Sequence, residues 1–304
     1  MNERKPDRVG AVFAALGKSV CYLTLFLGMQ ILVMLPLMVS VISEALAGES
    51  LVDESAVAAL LGADTMLLSL ISNLLTLAFI LIFYLIRRKK LSEVLWLRRV
   101  PASTLWTGAA LAPALYLAVT AVLAALPEAW LDSYNEASAD LGGGTVVGAL
   151  AVALMAPIVE EFIFRGLIMT RLSRAMPGWL AVVLSAAIFG ACHGHPVWFS
   201  YAFALGLFFG FMDLKANSIW PSILGHMAFN AIGEIISAVP ETEEGTEFII
   251  ITAALLLCAI VLPILDRKGV AALFRRTPKT VPGRELPQAP KTYDYDPWDD
   301  PWDR

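Results

Sequence analysis

The chain has 304 residues, of which 58% are hydrophobic and 16% are charged. A soluble domain usually carries about a quarter charged residues, so this composition excludes an ordinary soluble protein and favours a membrane protein. The formal net charge of −5 identifies no partner by itself, because acidic and basic residues are separated along the chain. We expect membrane lipids as partners and no nucleic acid.

Stretches of about 20 apolar residues predict transmembrane helices. The first follows basic residues as in a signal peptide, but it is too long for the apolar region of one, so we predict a retained span. The fifth and sixth are separated only by "HGHP". In chain order, the eight predicted spans are 19–46, 65–86, 103–126, 145–170, 178–194, 196–214, 218–238 and 247–266.

The distribution of basic residues predicts the orientation of these spans. If the N-terminus is cytoplasmic, every Lys and Arg except Arg165 lies in a cytoplasmic loop or terminal segment. Cytoplasmic loops of membrane proteins are enriched in Lys and Arg in this way. We therefore predict an all-α, multi-pass bundle with both termini inside, and we expect it in the cytoplasmic membrane of a bacterium.

The same pattern divides the chain into four parts. Residues 1–144 contain three N-terminal spans, and residues 145–238 contain the next four, among which are the spans with glutamate, arginine and histidine at membrane depth. Residues 239–276 hold the last span and its cytoplasmic end. The tail, 277–304, is rich in Pro and Asp, and we predict that it is disordered.

Several polar residues lie inside the predicted spans. A charged side chain at the bilayer centre costs about 2.5–3.5 kcal/mol on insertion scales, so such residues normally face the protein interior. Those of the fourth, fifth and seventh spans are Glu160, Glu161, Arg165, His193, His226, Asn230 and Glu234.

Helix geometry separates the two glutamates. Glu161 and Arg165 have i,i+4 spacing, which predicts an ion pair. In an α-helix Glu160 points about 100° away from Glu161, so it is left to face something else. Pro157, one turn earlier, removes a backbone donor and predicts a kink with an unpaired carbonyl near Ala153.

A structural role is possible for each of these residues alone. A Glu–Arg pair can tie helices together, and a buried His is more often a hydrogen-bonding residue than a catalyst. The combination of a Glu-Glu-Arg cluster with His and Asn on later spans instead favours a site that surrounds a water molecule. We interpret His195 as a loop residue, Glu234 as interfacial and Asp213 as a helix-end charge at the cytoplasmic face.

Three motifs carry a resemblance to a known family. "EEFIFR" (160–165) fits EExxxR, "FGACH" (189–193) fits FxxxH, and "HMAFN" (226–230) fits HxxxN. Their order along the chain resembles that of the CPBP intramembrane proteases. This family includes type II CAAX prenyl endopeptidases, bacteriocin-processing enzymes and proteins similar to lysostaphin resistance protein A. The resemblance covers about a third of the chain.

The resemblance implies an all-helical membrane fold and hydrolysis of peptide bonds in membrane-associated or lipidated substrates. It implies that Glu160 activates water, that His193 and His226 position this water or bind a metal, and that Asn230 stabilises the oxyanion. Glu161 and Arg165 would be structural or would position the substrate.

Two mechanisms and two other functions remain open at this point. Glu160, His193 and His226 form a His₂Glu set, which binds catalytic zinc in other enzymes. Because the chain lacks HExxH, we favour a glutamate-activated water without a permanent cofactor. The other functions are an inactive scaffold or regulator of the same fold, and a transporter or proton relay. The absence of inverted repeats disfavours a transporter.

Overall fold

The computed structural model describes residues 8–46, 54–139, 145–239 and 246–274, and every regular element in these ranges is a helix. A helix pairs its own backbone polar groups, which a hydrocarbon environment requires. The all-α prediction is therefore confirmed for the described residues. The predicted disordered tail, 277–304, lies outside them.

Helices occur at all eight positions predicted as spans. By length and composition, five helices of the described chain can cross a membrane: Val9–Pro36, Thr65–Ile86, Ala102–Ala124, Val146–Ala175 and Pro196–Ala216. Gly178–Ala191 and Ile251–Leu265 are apolar but shorter. The protein is thus an integral membrane protein, while the count of eight spans and the orientation stay predictions.

The N-terminal part contains three long helices and two short ones. Neither short helix was predicted as a separate element, because each lies in a loop between apolar stretches. The five are α1 (Arg8–Leu46), α2 (Glu54–Ile86), α3 (Leu91–Val94), α4 (Ala102–Ala124) and α5 (Glu128–Ala139).

The fourth span, Val146–Ala175, alternates between α-helix and π-helix. Its segments are α6 (Val146–Gly148), π1 (Ala149–Met155), α7 (Ala156–Glu160), π2 (Glu161–Met169) and α8 (Thr170–Ala175). π-Helical turns are rare in proteins, and those that occur often lie at functional sites. The uniform 100° spacing that the sequence predicts for this helix is therefore wrong within π1 and π2.

The remaining helices are α9 (Gly178–Ala191), α10 (Pro196–Ala216), α11 (Trp220–Ser237), α12 (Thr246–Leu265) and α13 (Arg267–Phe274). Helices α9 and α10 form a hairpin whose turn contains Gly194 at a φ of +71°, a value that favours glycine. Small residues bring the two helices together, since a Cβ at Gly206 would lie 3.0 Å from Ala186 Cβ. The predicted separation of these two helices at "HGHP" is confirmed.

Helix α11 is the central element of the bundle. It packs against α4, α10, α7 and π1. Gly225 of α11 meets Gly108 of α4 so closely that a Cβ at Gly225 would lie 3.0 Å from Gly108 Cα. This close backbone contact holds α11 against α4, while α11 also packs on π1 and α7 of the fourth span.

Candidate active site

His226 lies between the two glutamates of the EExxxR motif. Its Nδ1 is 2.9 Å from Oε1 of Glu161, and its Nε2 is 3.7 Å from Oε2 of Glu160. A carboxylate only accepts hydrogen bonds, so Nδ1 carries the proton and donates it to Glu161. In the neutral imidazole, the lone pair of Nε2 therefore faces Glu160.

Glu161 and Arg165 form the ion pair that their spacing predicts. Arg165 Nη1 lies 3.1 Å from Glu161 Oε1, and the two side chains are 1% and 0% exposed. The same Oε1 accepts the hydrogen bond from His226. The sequence did not reveal this third contact, because α11 follows some 60 residues later in the chain.

Two aromatic rings hold the imidazole of His226. Phe209 of α10 stacks on it with ring centres 5.9 Å apart, and Phe189 of α9 meets it edge-on at 5.8 Å. The face of Phe189 also receives the guanidinium of Arg165, at 4.4 Å from Cζ to the ring centre. Phe189, the first residue of the FxxxH motif, therefore contacts residues of the EExxxR and HxxxN motifs as well as its own. This is a physical reason for an aromatic residue at the first position of FxxxH.

His193 lies just beyond the last residue of α9. Its Nδ1 is 2.9 Å from the carbonyl oxygen of Phe189, so Nδ1–H donates and Nε2 carries the lone pair in the neutral ring. The ring packs 4.8 Å from that of Phe189. Glu160 is within electrostatic reach of Cys192, the residue that precedes His193. These contacts bring the end of the FxxxH motif to the same region as Glu160.

Asn230 donates from Nδ2 to the carbonyl oxygen of Val152, at 2.9 Å. The sequence predicted an unpaired carbonyl near Ala153, four residues before Pro157. The structure places it at Val152 instead, because π-helical bonds reach back five residues. The role of Asn230 at an oxyanion stays a prediction, and its second amide N–H remains for that role.

The predicted zinc set does not assemble in this conformation. Within the described residues, no three His, Cys, Asp or Glu side chains are grouped so that they could hold one metal ion. Glu160 and His226 face each other, whereas His193 contacts His226 only through Phe189. The donor atoms thus do not fit a zinc site as they stand, and no step below passes through a metal.

Two interpretations of residues outside the motifs can be compared with the structure. His195 lies in the turn before α10, where its Nδ1 accepts from the N–H of Val197 at 3.2 Å, as expected of a loop residue. Asp213 is not a helix-end charge at the surface, since its side chain is 0% exposed. It lies near Glu161, Arg165 and Ser222. Residue spacing alone could not distinguish a buried acidic residue that faces the motifs from an exposed charge at the end of a helix.

The part of the chain that contains the motifs is similar to known proteins. The sequence profile of the family described as "Type II CAAX prenyl endopeptidase Rce1-like" matches residues 142–232, which contain all three motifs. This region of the chain is therefore similar to the CPBP family. The match runs from α6 to most of α11, and it includes the elements that carry Glu160, Glu161 and His226.

A bacterial protein is similar to this chain over 88 residues, about the length of the family match. "Putative membrane peptidase YdiL" of Bacillus subtilis (strain 168) is 30% identical over 88 residues, which are 29% of this chain and 36% of that protein. The chain therefore matches about a third of the curated relative. No solved structure matches the chain significantly.

Proposed function

We propose that this protein is an intramembrane endopeptidase of a bacterial cytoplasmic membrane, acting on membrane-associated or lipidated peptides. One observation supports this above the others. The lone-pair side of His226 faces the carboxylate of Glu160 at 3.7 Å, while the opposite nitrogen is fixed by buried Glu161. The CPBP match points to the same class of reaction.

One water molecule can contact both Glu160 and His226. It donates one hydrogen to the Glu160 carboxylate and the other to Nε2 of His226, so an oxygen lone pair remains for attack. The bond from Nδ1 to Glu161 fixes the tautomer that makes Nε2 an acceptor. Glu160 is the more accessible acid, with 18% of its side chain exposed against 0% for Glu161. Glu160 is accordingly the base, and Glu161 orients the histidine.

Hydrolysis then proceeds in two steps. The water oxygen bonds to the carbonyl carbon of the peptide as Glu160 takes the proton, which gives a tetrahedral intermediate with a negatively charged oxygen. The carbon–nitrogen bond breaks when Glu160 returns this proton to the nitrogen, and an acid and an amine result. General acid–base catalysis of this kind contributes typically about 10²- to 10⁴-fold to the rate.

The negative oxygen of the intermediate needs a hydrogen-bond donor. The amide of Asn230 has two N–H groups, one of which bonds to Val152, and the second is the proposed donor. His193 lies beside the same region and completes the positioning of the water or the peptide. Removal of a single oxyanion donor typically costs about 10²- to 10³-fold in kcat.

The decisive experiment measures cleavage of a prenylated peptide by the purified protein in detergent, with the unprenylated peptide as comparison. We expect wild type to cleave the prenylated peptide, and Glu160→Gln and His226→Ala to lose about 10²-fold or more of that rate. Glu93→Gln is the matched control, since Glu93 lies on the short helix α3 and is 71% exposed.

The outcomes separate the possible functions. Full cleavage by Glu160→Gln would contradict the assignment of the base. A folded wild type that leaves both peptides and a panel of membrane proteins intact would instead support an inactive scaffold. Equal cleavage with and without the prenyl group would exclude lipid recognition but not the protease.

A further inference from the structure

The hydrogen bond from Asn230 gives the carbonyl oxygen of Val152 a donor that the fourth span itself does not supply. In an α-helix, the Val152 carbonyl would accept from the N–H of Ala156, but that N–H bonds to Ala151. In a π-helix the donor would be residue 157, which is a proline without an N–H. Both intrahelical partners of Val152 are therefore lost, and Asn230 supplies the donor from another helix.

This contact and the catalytic contact bracket Pro157. On one side, Asn230 of α11 bonds to Val152, five residues before the proline. On the other side, His226 of α11 meets Glu160, three residues after it. His226 and Asn230 are one turn apart on a regular α-helix, so the two contacts form a fixed pair of attachment points.

We propose that Asn230 is a positioning residue, which holds the π-helical bend before Pro157 and so places Glu160 opposite His226. This inference rests on the proposed function for its catalytic meaning, although the hydrogen bond itself does not. An unpaired carbonyl in a membrane interior is costly, so loss of the Asn230 donor favours a different helical arrangement at residues 149–157. Glu160 lies within the next turn and moves with it.

A double-mutant cycle between Asn230 and Pro157 tests the inference. Pro157→Ala restores an N–H that can donate to Val152, which makes the Asn230 donor dispensable. Asn230→Ala removes the proposed oxyanion donor in both backgrounds, so we expect kcat to fall in both. We expect the fall to be about tenfold larger in the wild-type background than in the Pro157→Ala background. A pure oxyanion role predicts the same factor in both backgrounds, and that result would overturn the inference.

The unfolding midpoint of the four proteins in detergent gives a second readout. We expect the decrease caused by Asn230→Ala to be at least halved when Pro157 is Ala. Pro113→Ala is the matched control, because Pro113 is a buried proline inside α4. It should leave the effect of Asn230→Ala unchanged. If Asn230→Ala does not fold, the nearly isosteric Asn230→Asp replaces it, since a carboxylate cannot donate.

The two proposals fail separately. If wild type cleaves no peptide, the proposed function fails, and coupling in the unfolding midpoints still decides the role of Asn230. If wild type cleaves and Glu160→Gln does not, but Asn230 and Pro157 act independently in both readouts, the function stands and the positioning role is wrong.

Discussion

Oε1 of Glu161 accepts a hydrogen bond from Nδ1 of His226 at 2.9 Å and forms an ion pair with Nη1 of Arg165 at 3.1 Å. One oxygen atom therefore joins α11 to the fourth span and sets the tautomer of the imidazole that faces Glu160. The second glutamate of the motif has two separable roles, since one partner neutralises its charge and the other is oriented by it.

These two roles predict different responses to substitution. Glu161→Gln leaves the buried charge of Arg165 without its partner, which typically costs about 3–5 kcal/mol. The double variant Glu161→Gln/Arg165→Met removes both charges, so we expect it to recover much of the unfolding midpoint. We expect no recovery of cleavage, because His226 still lacks its carboxylate. Additive losses of stability in the double variant would contradict a direct ion pair.

Phe189 contacts Arg165, His193 and His226 through one ring. Phe189→Leu keeps an apolar residue but removes the cation–π contact and the surface that separates the two imidazoles. We expect a loss of stability of about 1–2 kcal/mol and a larger fractional loss of cleavage. Phe203→Leu is the control, since Phe203 stacks on Phe199 along α10. Equal effects of the two substitutions on cleavage would show that Phe189 only fills space.

Metal removal should leave the reaction unchanged. Glu160, His193 and His226 are not grouped as a ligand set in the described structure, whereas Glu160 and His226 alone can hold a water. We expect the same cleavage rate after dialysis against a chelator and after addition of zinc. Loss of activity with the chelator, restored by zinc, would show that substrate or metal binding brings the three side chains together.

Asp213 adds a carboxyl group to the buried cluster. Its side chain is 0% exposed and lies near Ser222, Glu161 and Arg165. Burial of a carboxylate is costly, and Glu161 nearby has the same charge. We therefore expect Asp213→Asn to raise the unfolding midpoint in detergent.

The control for this substitution is Asp132→Asn, because Asp132 is exposed on α5. Exposed substitutions of this kind usually change stability by less than about 0.5 kcal/mol. A lower midpoint for Asp213→Asn would mean that the carboxylate stabilises the fold, with Arg165 as a cation that it interacts with.

The sequence by itself determined the membrane class and the positions of the long apolar helices, and it predicted the two glutamates, two histidines and asparagine of the candidate site. Apolar runs and i,i+4 spacing are local, so the Glu161–Arg165 pair and the break at "HGHP" could be predicted. Only the tertiary structure decided which nitrogen of His226 meets which glutamate, which carbonyl Asn230 reaches, and that Asp213 is buried. These three features depend on the close contact of α11 with α4 and on the wider turns of π1 and π2. Neither a non-local backbone contact nor a π-helical turn leaves a periodic pattern in the sequence, so neither could be predicted from it.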